Sequence, residues 1–239
     1  MNDNEVKKLI TNILIENNIE PTEDIFSKLE TYYNMLVEYN SHTNLTTITK
    51  KTDVYLKHFA DSLLGINIYD KNSTVCDIGT GAGFPGLVLK IARPDLEIYL
   101  VDSLNKRIAF LKNVIKALNL TNIYALHYRA EDIEFKKKYL NSFDYVIARA
   151  VASMETLTEY CLPYVKTGGR FIAYKSQNAD SELELAKKCI ETLGGKYYST
   201  MQTLLNNEYM RKLIIIKKLS KTSDKYPRDK NKPRTNPII

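Results

Sequence analysis

The sequence predicts an α/β fold: a mostly parallel β-sheet with helices on both faces, behind a small helical region at the N-terminus. Three observations predict it. From Ser73 onward, short β-favouring runs alternate with amphipathic stretches, which is the pattern of strand–helix–strand units. The first such run ends in "DIGTGAGFPG" (77–86), which packs four of the chain's nine glycines into ten positions and leads straight into "LVLKIA". Residues before 65 space their apolar positions with helical period instead, for instance Ile25, Leu29, Tyr32, Leu36 and Tyr39.

The elements follow in order. Helices are expected over 4–18 and 22–39, separated by Pro21, and a third over 52–64. Strands are expected at "TVCDI" (74–78), "EIYLVD" (97–102), "IYALHY" (123–128), "DYVIARA" (144–150) and "RFIAYKS" (170–176). Helical stretches lie between them at 86–92, 105–118, 153–162 and 179–193. The late runs "KYYSTMQTLL" (196–205) and "MRKLIIIKKL" (210–219) read as two more strands, close enough to form an antiparallel hairpin. This divides the chain into an N-terminal helical region (1–65), a sheet domain (66–220) and a C-terminal tail (221–239). In such a sheet, ligands bind at the carboxyl ends of the strands.

Composition narrows the function classes. At 239 residues and 44% hydrophobic, the chain can bury a full core. It contains no run of about 18 apolar residues and no signal-peptide pattern, so a cytoplasmic protein without membrane attachment is expected. Cys76, Cys161 and Cys189 show no CxxC or Cys/His ligand spacing, so neither disulfides nor a metal site is expected. The net charge of +6 is localised. Residues 217–239 carry eight basic and two acidic groups, whereas residues 1–216 carry 26 of each. The tail is therefore either a solvated end or an arm for a polyanion. Pro227, Pro233 and Pro237 favour an extended course along a phosphate backbone.

The glycine turn marks a nucleotide-type pocket, because free N–H groups and the helix dipole converge there. "GAGFPG" (Gly81, Gly83, Gly86) is a literal dinucleotide fingerprint, and Asp102 ends the next strand where a ribose-binding acid belongs. Asp102 also reads as a cap for the following helix. Asp77, inside the turn, would oppose a pyrophosphate with its own charge, and Gly79 starts the spacing one glycine early. A cofactor with a sulfonium and an ammonium and no phosphate is favoured by that carboxylate. The charge argument selects S-adenosylmethionine over NAD. Arg149, among apolar residues at the end of the fourth strand, is expensive unless paired or functional. His42, His58 and His127 have no apparent acid–base partner and read as structural.

At these residues the chain resembles a known family. "DIGTGAGFPGLVL", "VDSLNKRIAFL", "RAED" (129–132), "ARAVASMETLTEYCLPYVKTGGRF" and the tail "YPRDKNKPRTNP" are similar to the bacterial small-subunit rRNA guanine-N7 methyltransferases, the glucose-inhibited division protein B family. "YNSHTNLTTIT" and "HFADSL" resemble it too. The resemblance implies a Rossmann-like class I methyltransferase sheet, S-adenosylmethionine as cofactor, and one guanine of 16S rRNA as target, in the small ribosomal subunit or an assembly intermediate. A monomer is expected. By motif matching, cofactor positions fall on Gly79, Gly81 and Phe84, on Ala130 and Glu131, and on Arg149, which would position the substrates rather than act as a base. Phe84 reads equally as a core aromatic, and Glu131 as a first-turn acid. Tyr39 stands where the family commonly has tryptophan, Ser176 follows Lys175 where glycine is usual, and Asn231 replaces the tail motif's glycine. The sequence leaves the exact roles of Asn44, Lys175 and Arg211 open. Guanine N7 is an acceptor with a free lone pair, so its methylation needs no proton removed.

Overall fold

The computed structural model of the chain describes residues 2–149, 152–176, 179–206 and 208–239. Helix α1 (Asp3–Glu16) opens with a capping box in which Asn2 and Glu5 each satisfy the other's backbone N–H. Helix α2 (Glu23–Thr43) starts at Thr22, whose hydroxyl accepts from the Ile25 N–H. It stops at Asn44, which takes the left-handed conformation that ends helices. Helix α3 (Lys51–Val54) continues without a break into a π-helical turn, Tyr55–Ala60.

The sheet and its helices follow: β1 (Thr74–Ile78), α4 (Gly86–Ala92), β2 (Glu97–Asp102), α5 (Asn105–Ala117), β3 (Ile123–His127), α6 (Ile133–Tyr139), β4 (Phe143–Arg149), α7 (Met154–Cys161), β5 (Val165–Lys175), α8 (Ala179–Thr192), β6 (Gly195–Leu205), β7 (Tyr209–Lys218) and a last turn α9 (Lys232–Thr235). The spatial order is β3-β2-β1-β4-β5-β7-β6. The first four pairings are parallel, and β7 is antiparallel to both β5 and β6. The predicted α/β class, the parallel core and the terminal hairpin are all present. Ala150, placed at the end of the fourth predicted strand, lies outside the described residues. Helix α6 was not predicted.

Strand alternation sorts the core into two layers. Val75, Tyr145, Ile147, Ile172 and Ile215 face the layer of α1–α5, while Cys76, Val146, Phe171 and Ile214 face the layer of α6–α8. The N-terminal helices share the first layer with α4 and α5: Tyr32 from α2 stacks on both Phe59 and Phe84. The three cysteines are buried and free, and burial pushes each thiol pKa up. Among the described residues no helix is long and apolar enough to cross a membrane.

The C-terminal stretch corrects the expectation of an extended arm. It is docked on α7 instead. Arg228 donates to Glu159 from its backbone N–H (2.9 Å), Nε (2.8 Å) and Nη2 (2.7 Å). Glu159 is itself only 1% exposed. Thr156 donates to the Pro233 carbonyl at 3.0 Å, Tyr160 to the Asn231 side chain at 3.0 Å, and Lys136 to the Pro227 carbonyl at 3.1 Å. Pro233 sits in the first turn of a short helix rather than holding the chain extended. Proline lacks an N–H, and that position needs none.

Candidate functional site

The glycine turn is shaped by what it must approach. At Gly86, the first residue of α4, a Cβ would lie 2.6 Å from Leu100 Cδ2 and 2.9 Å from Asp77 Oδ2. Gly83 combines a φ of +107° with a Cβ position 2.8 Å from the Tyr32 hydroxyl. Only glycine fits either place. Tyr32 in turn donates to the Ala82 carbonyl, so α2 braces the turn from outside the sheet.

Asp77 lies beneath the turn, fully buried, and does not face a ligand as the sequence argument had it. Its Oδ2 accepts from the Gly86 N–H at 2.8 Å and from Thr80 Oγ1 at 2.7 Å. Its Oδ1 is buried with no partner among the described residues. Burial pushes the carboxyl up to about 6, against the lowering pull of the Thr80 and Gly86 bonds. Its charge still biases the turn toward cations, but from behind it.

The first cavity, about 250 Å³, opens above the carboxyl ends of β1, β2 and β3. Gly79, Asp102, Ala130 and Glu131 line it together, as do Arg107 and Tyr160. Asp102 is 3% exposed. Its Oδ1 accepts from the Leu104 N–H at 2.9 Å, and its Oδ2 from the Gly81 N–H and Arg107 Nη1, both at 3.0 Å. A carboxylate offers about four lone-pair sites, so one acceptor direction is left for a ligand. Asp102 thus locks the turn that leads into α5, by accepting from the Leu104 N–H rather than capping the helix itself, and lines the cavity. Arg129 Nε holds Glu131 at 3.2 Å.

The second cavity, about 420 Å³, lies beyond the end of β4 and is lined by His58, Asp61, Arg149, Tyr174, Lys175 and Arg211, among others. Asp61 is its hub. Its Oδ2 accepts from Arg149 Nη1 and its Oδ1 from Arg211 Nε, both at 2.6 Å. Arg149 also donates to the Lys57 carbonyl at 3.3 Å and places Nη2 3.3 Å from His58 Nδ1. The His58 ring stacks on Phe84 at 4.4 Å, and its Nε2 lies 3.1 Å from Thr46 Oγ1. Burial, aided by the Arg149 charge, lowers the His58 pKa to about 4. The ring is therefore neutral near pH 7, and not isolated as the sequence suggested. Lys175 donates to the Ala152 carbonyl at 2.7 Å and to Glu182 at 2.5 Å.

Four of the seven candidate residues thus share the first cavity. Gly81 contributes through its N–H to Asp102 rather than by lining the space. Phe84 is 6% exposed, lines neither cavity and belongs to the aromatic cluster with Tyr32 and His58, with the Arg149 guanidinium 5.1 Å above its ring. Arg149 itself points into the second cavity. Missing from the sequence reading were His58, Asp61 and Arg211 as a group, and Asn231 and Arg234, which line the first cavity. One signal for the first group was available: in "HFADSL", His58 and Asp61 stand three apart on one helix face. His127 Nε2 lies 2.9 Å from the Ser103 carbonyl, a structural contact.

Comparison with known proteins identifies the family and the fold. A family model described as rRNA small subunit methyltransferase G (GidB) matches residues 25–213. A protein of that name from Lactobacillus acidophilus is 45% identical over 230 residues, covering 94% of this chain and 96% of its own. One from Desulforamulus reducens is 47% identical over 221 residues, covering 91% of this chain and 92% of its own. In fold, the chain is similar to M. jannaschii TYW2 in complex with AdoMet, with a TM-score of 0.55 at 15% identity over 66% of this chain and 75% of that one. A SAM dependent methyltransferase from Aquifex aeolicus gives a TM-score of 0.55 at 15% identity, covering 73% and 97%.

Proposed function

Because the chain belongs to the rRNA small subunit methyltransferase G family and is an S-adenosylmethionine-dependent methyltransferase, we propose that it methylates N7 of a guanine in 16S rRNA, acting as a cytoplasmic monomer on the small subunit or an assembly intermediate. The observation that carries the cofactor site is the convergence of Gly79, Asp102, Ala130 and Glu131, from the ends of three adjacent parallel strands, on one cavity. The donor set fits this cofactor. Asp102 keeps an acceptor direction for a ribose hydroxyl, Glu131 offers a carboxylate to an exocyclic amine, and the buried Asp77 favours a cation over a pyrophosphate.

When bound, the cofactor supplies an electrophilic methyl group. The protein's own task is positional. Arg149, fixed by Asp61 and the Lys57 carbonyl, presents a guanidinium in the second cavity, where it can donate to a base edge or neutralise a phosphate. Arg211, held on the other oxygen of Asp61, sets the opposite side of that cavity. His58, backed by the buried Phe84 ring on which it stacks, gives the second cavity a neutral aromatic side. No group is required to take a proton, since N7 already carries its lone pair. Holding the reacting atoms about 3–3.5 Å apart and in line then supplies most of the acceleration.

The test is methyl transfer from labelled S-adenosylmethionine to 30S subunits and to naked 16S rRNA lacking the modification, followed by nucleoside analysis. 7-Methylguanosine at a single position is expected. Label on another atom, or in another RNA only, would overturn the assignment.

A further inference from the structure

The wall of the first cavity facing Gly79 and Asp102 includes the C-terminal segment. Asn231 and Arg234 line that cavity together with Glu131 and Tyr160, and both lie beyond residue 213, where the family-model match ends. We propose that Asn231 and Arg234 are cofactor-binding residues, closing the nucleoside end of the cavity. The proposal rests on the methyltransferase reading above.

Three observations carry it. First, the segment is held in place: Arg228 is clamped on buried Glu159, and Thr156 takes the Pro233 carbonyl. At its root, Lys218 is fully buried and donates to the Leu162 carbonyl at 2.7 Å and to Thr222. Second, the Asn231 amide is oriented. Its Oδ1 accepts from the Tyr160 hydroxyl at 3.0 Å, which leaves Nδ2 two N–H groups with no partner among the described residues. Third, the Arg234 guanidinium makes no ion pair or hydrogen bond among the described residues while standing at the cavity rim.

These groups complement a purine. Glu131 accepts from an exocyclic amine, Asn231 donates to a ring nitrogen, and a planar guanidinium stacks on the ring face. A free polyanion arm needs none of this docking. A second class of partner, RNA phosphate, is left to the exposed lysines of the segment and becomes an outcome of the test.

The experiment titrates S-adenosylhomocysteine and 5′-methylthioadenosine by calorimetry into the full-length protein and into Asn231→Ala, Arg234→Ala and the double variant. Arg234 is exposed, so its variant should fold; thermal denaturation checks each. A loss of about fivefold or more for each single variant, and more for the double, is expected with both ligands. Cleavage by trypsin within 225–230 should also slow when S-adenosylhomocysteine is present. Wild-type affinity in the folded double variant, or cleavage indifferent to ligand, overturns the proposal. The same follows if only the salt dependence of 16S rRNA binding changes, which would make Arg234 a phosphate contact. Failure of the wild-type protein to bind either ligand would instead overturn the underlying methyltransferase reading.

Discussion

Asp61→Asn isolates the second cavity from the first. Asp61 is 4% exposed and accepts at 2.6 Å from two arginines, Arg149 (13% exposed) and Arg211 (24% exposed). Removing one partner of a buried ion pair costs about 3–5 kcal/mol, because the remaining charge is left uncompensated. Here asparagine still accepts one bond through its oxygen, and Arg211 can turn toward water. About 2–3 kcal/mol of stability is therefore the expected loss, or a fall in Tm of roughly 5–10 °C at this chain length. The effect on chemistry should be larger. Arg149 keeps its contacts with the Lys57 carbonyl and His58 but loses its shortest anchor, and a misplacement of about 1 Å is enough to slow a positioned reaction about a hundredfold. Cofactor affinity should be unchanged, since no residue of the Asp61 group lines the first cavity. Differential scanning calorimetry, ligand titration and single-turnover methylation measure the three quantities. Near-wild-type transfer by a destabilised variant would refute the positioning role of Arg149. Collapse of cofactor binding would refute the separation of the two cavities. Adding Arg211→Ala should restore part of the stability, because it removes one of the orphaned charges.

Three further outcomes follow from individual side chains. Asp102→Ala removes the acceptor for Gly81, Leu104 and Arg107 together with the direction facing the cavity, so S-adenosylmethionine affinity should fall by about 1–3 kcal/mol; unchanged affinity by calorimetry would leave Asp102 a turn lock only. The folded Asp77 carboxyl is pushed up to about 6 from 3.8, so its ionised form costs stability as pH rises through that window. A cationic ligand lowers that pKa, so S-adenosylmethionine should bind more tightly as pH rises toward about 6 and then level off, with a weaker trend for S-adenosylhomocysteine; titrations on both sides of that value decide it. His58 is lowered to about 4 from 6.5, so the unfolded chain takes up a proton that the folded one refuses. Its contribution to stability is complete above 6.5 and is lost as pH falls toward 4, and His58→Phe should flatten that part of the acid denaturation curve. The same neutral ring predicts single-turnover methylation without a titration step from about pH 6.5 to 8.5.

Legibility in the sequence tracks the kind of force involved. Strands β1 to β4 could be read to within a residue or so because each is a short β-favouring run ended by turn residues, whereas β5 starts at Val165, five residues before the expected run; Gly83 and Gly86 announced a turn that only glycine can make. Asp102 was legible because it ends the strand beside the glycine turn, and Glu131 only through the resemblance of "RAED" to the family motif. Helix α6 was not, since "IEFKKKY" is too short for its periodicity to stand out and is fixed by Phe135 packing against Tyr164. The ion cluster at Asp61 was hidden for another reason: Arg149 and Arg211 reach it from 88 and 150 residues away, and no local pattern encodes a meeting of that span. The tail misled because its charge and prolines describe composition, while its course is set by contacts with other helices, the buried carboxylate of Glu159 on α7 first among them.

That carboxylate also ties the fold to the order of protein synthesis. Glu159 emerges from the ribosome 69 residues before the arginine that neutralises it. Until Arg228 arrives, α7 has to expose an acid that belongs in the interior or bury it alone, so the nascent domain stays unfinished until that arginine is made. A nonsense mutation just before Arg228 would therefore not merely shorten the chain. It would deliver a chain with a permanently unpaired interior charge, the kind of product that quality-control proteases clear. Stop codons between Glu159 and Arg228, even close to the arginine, should behave as nulls.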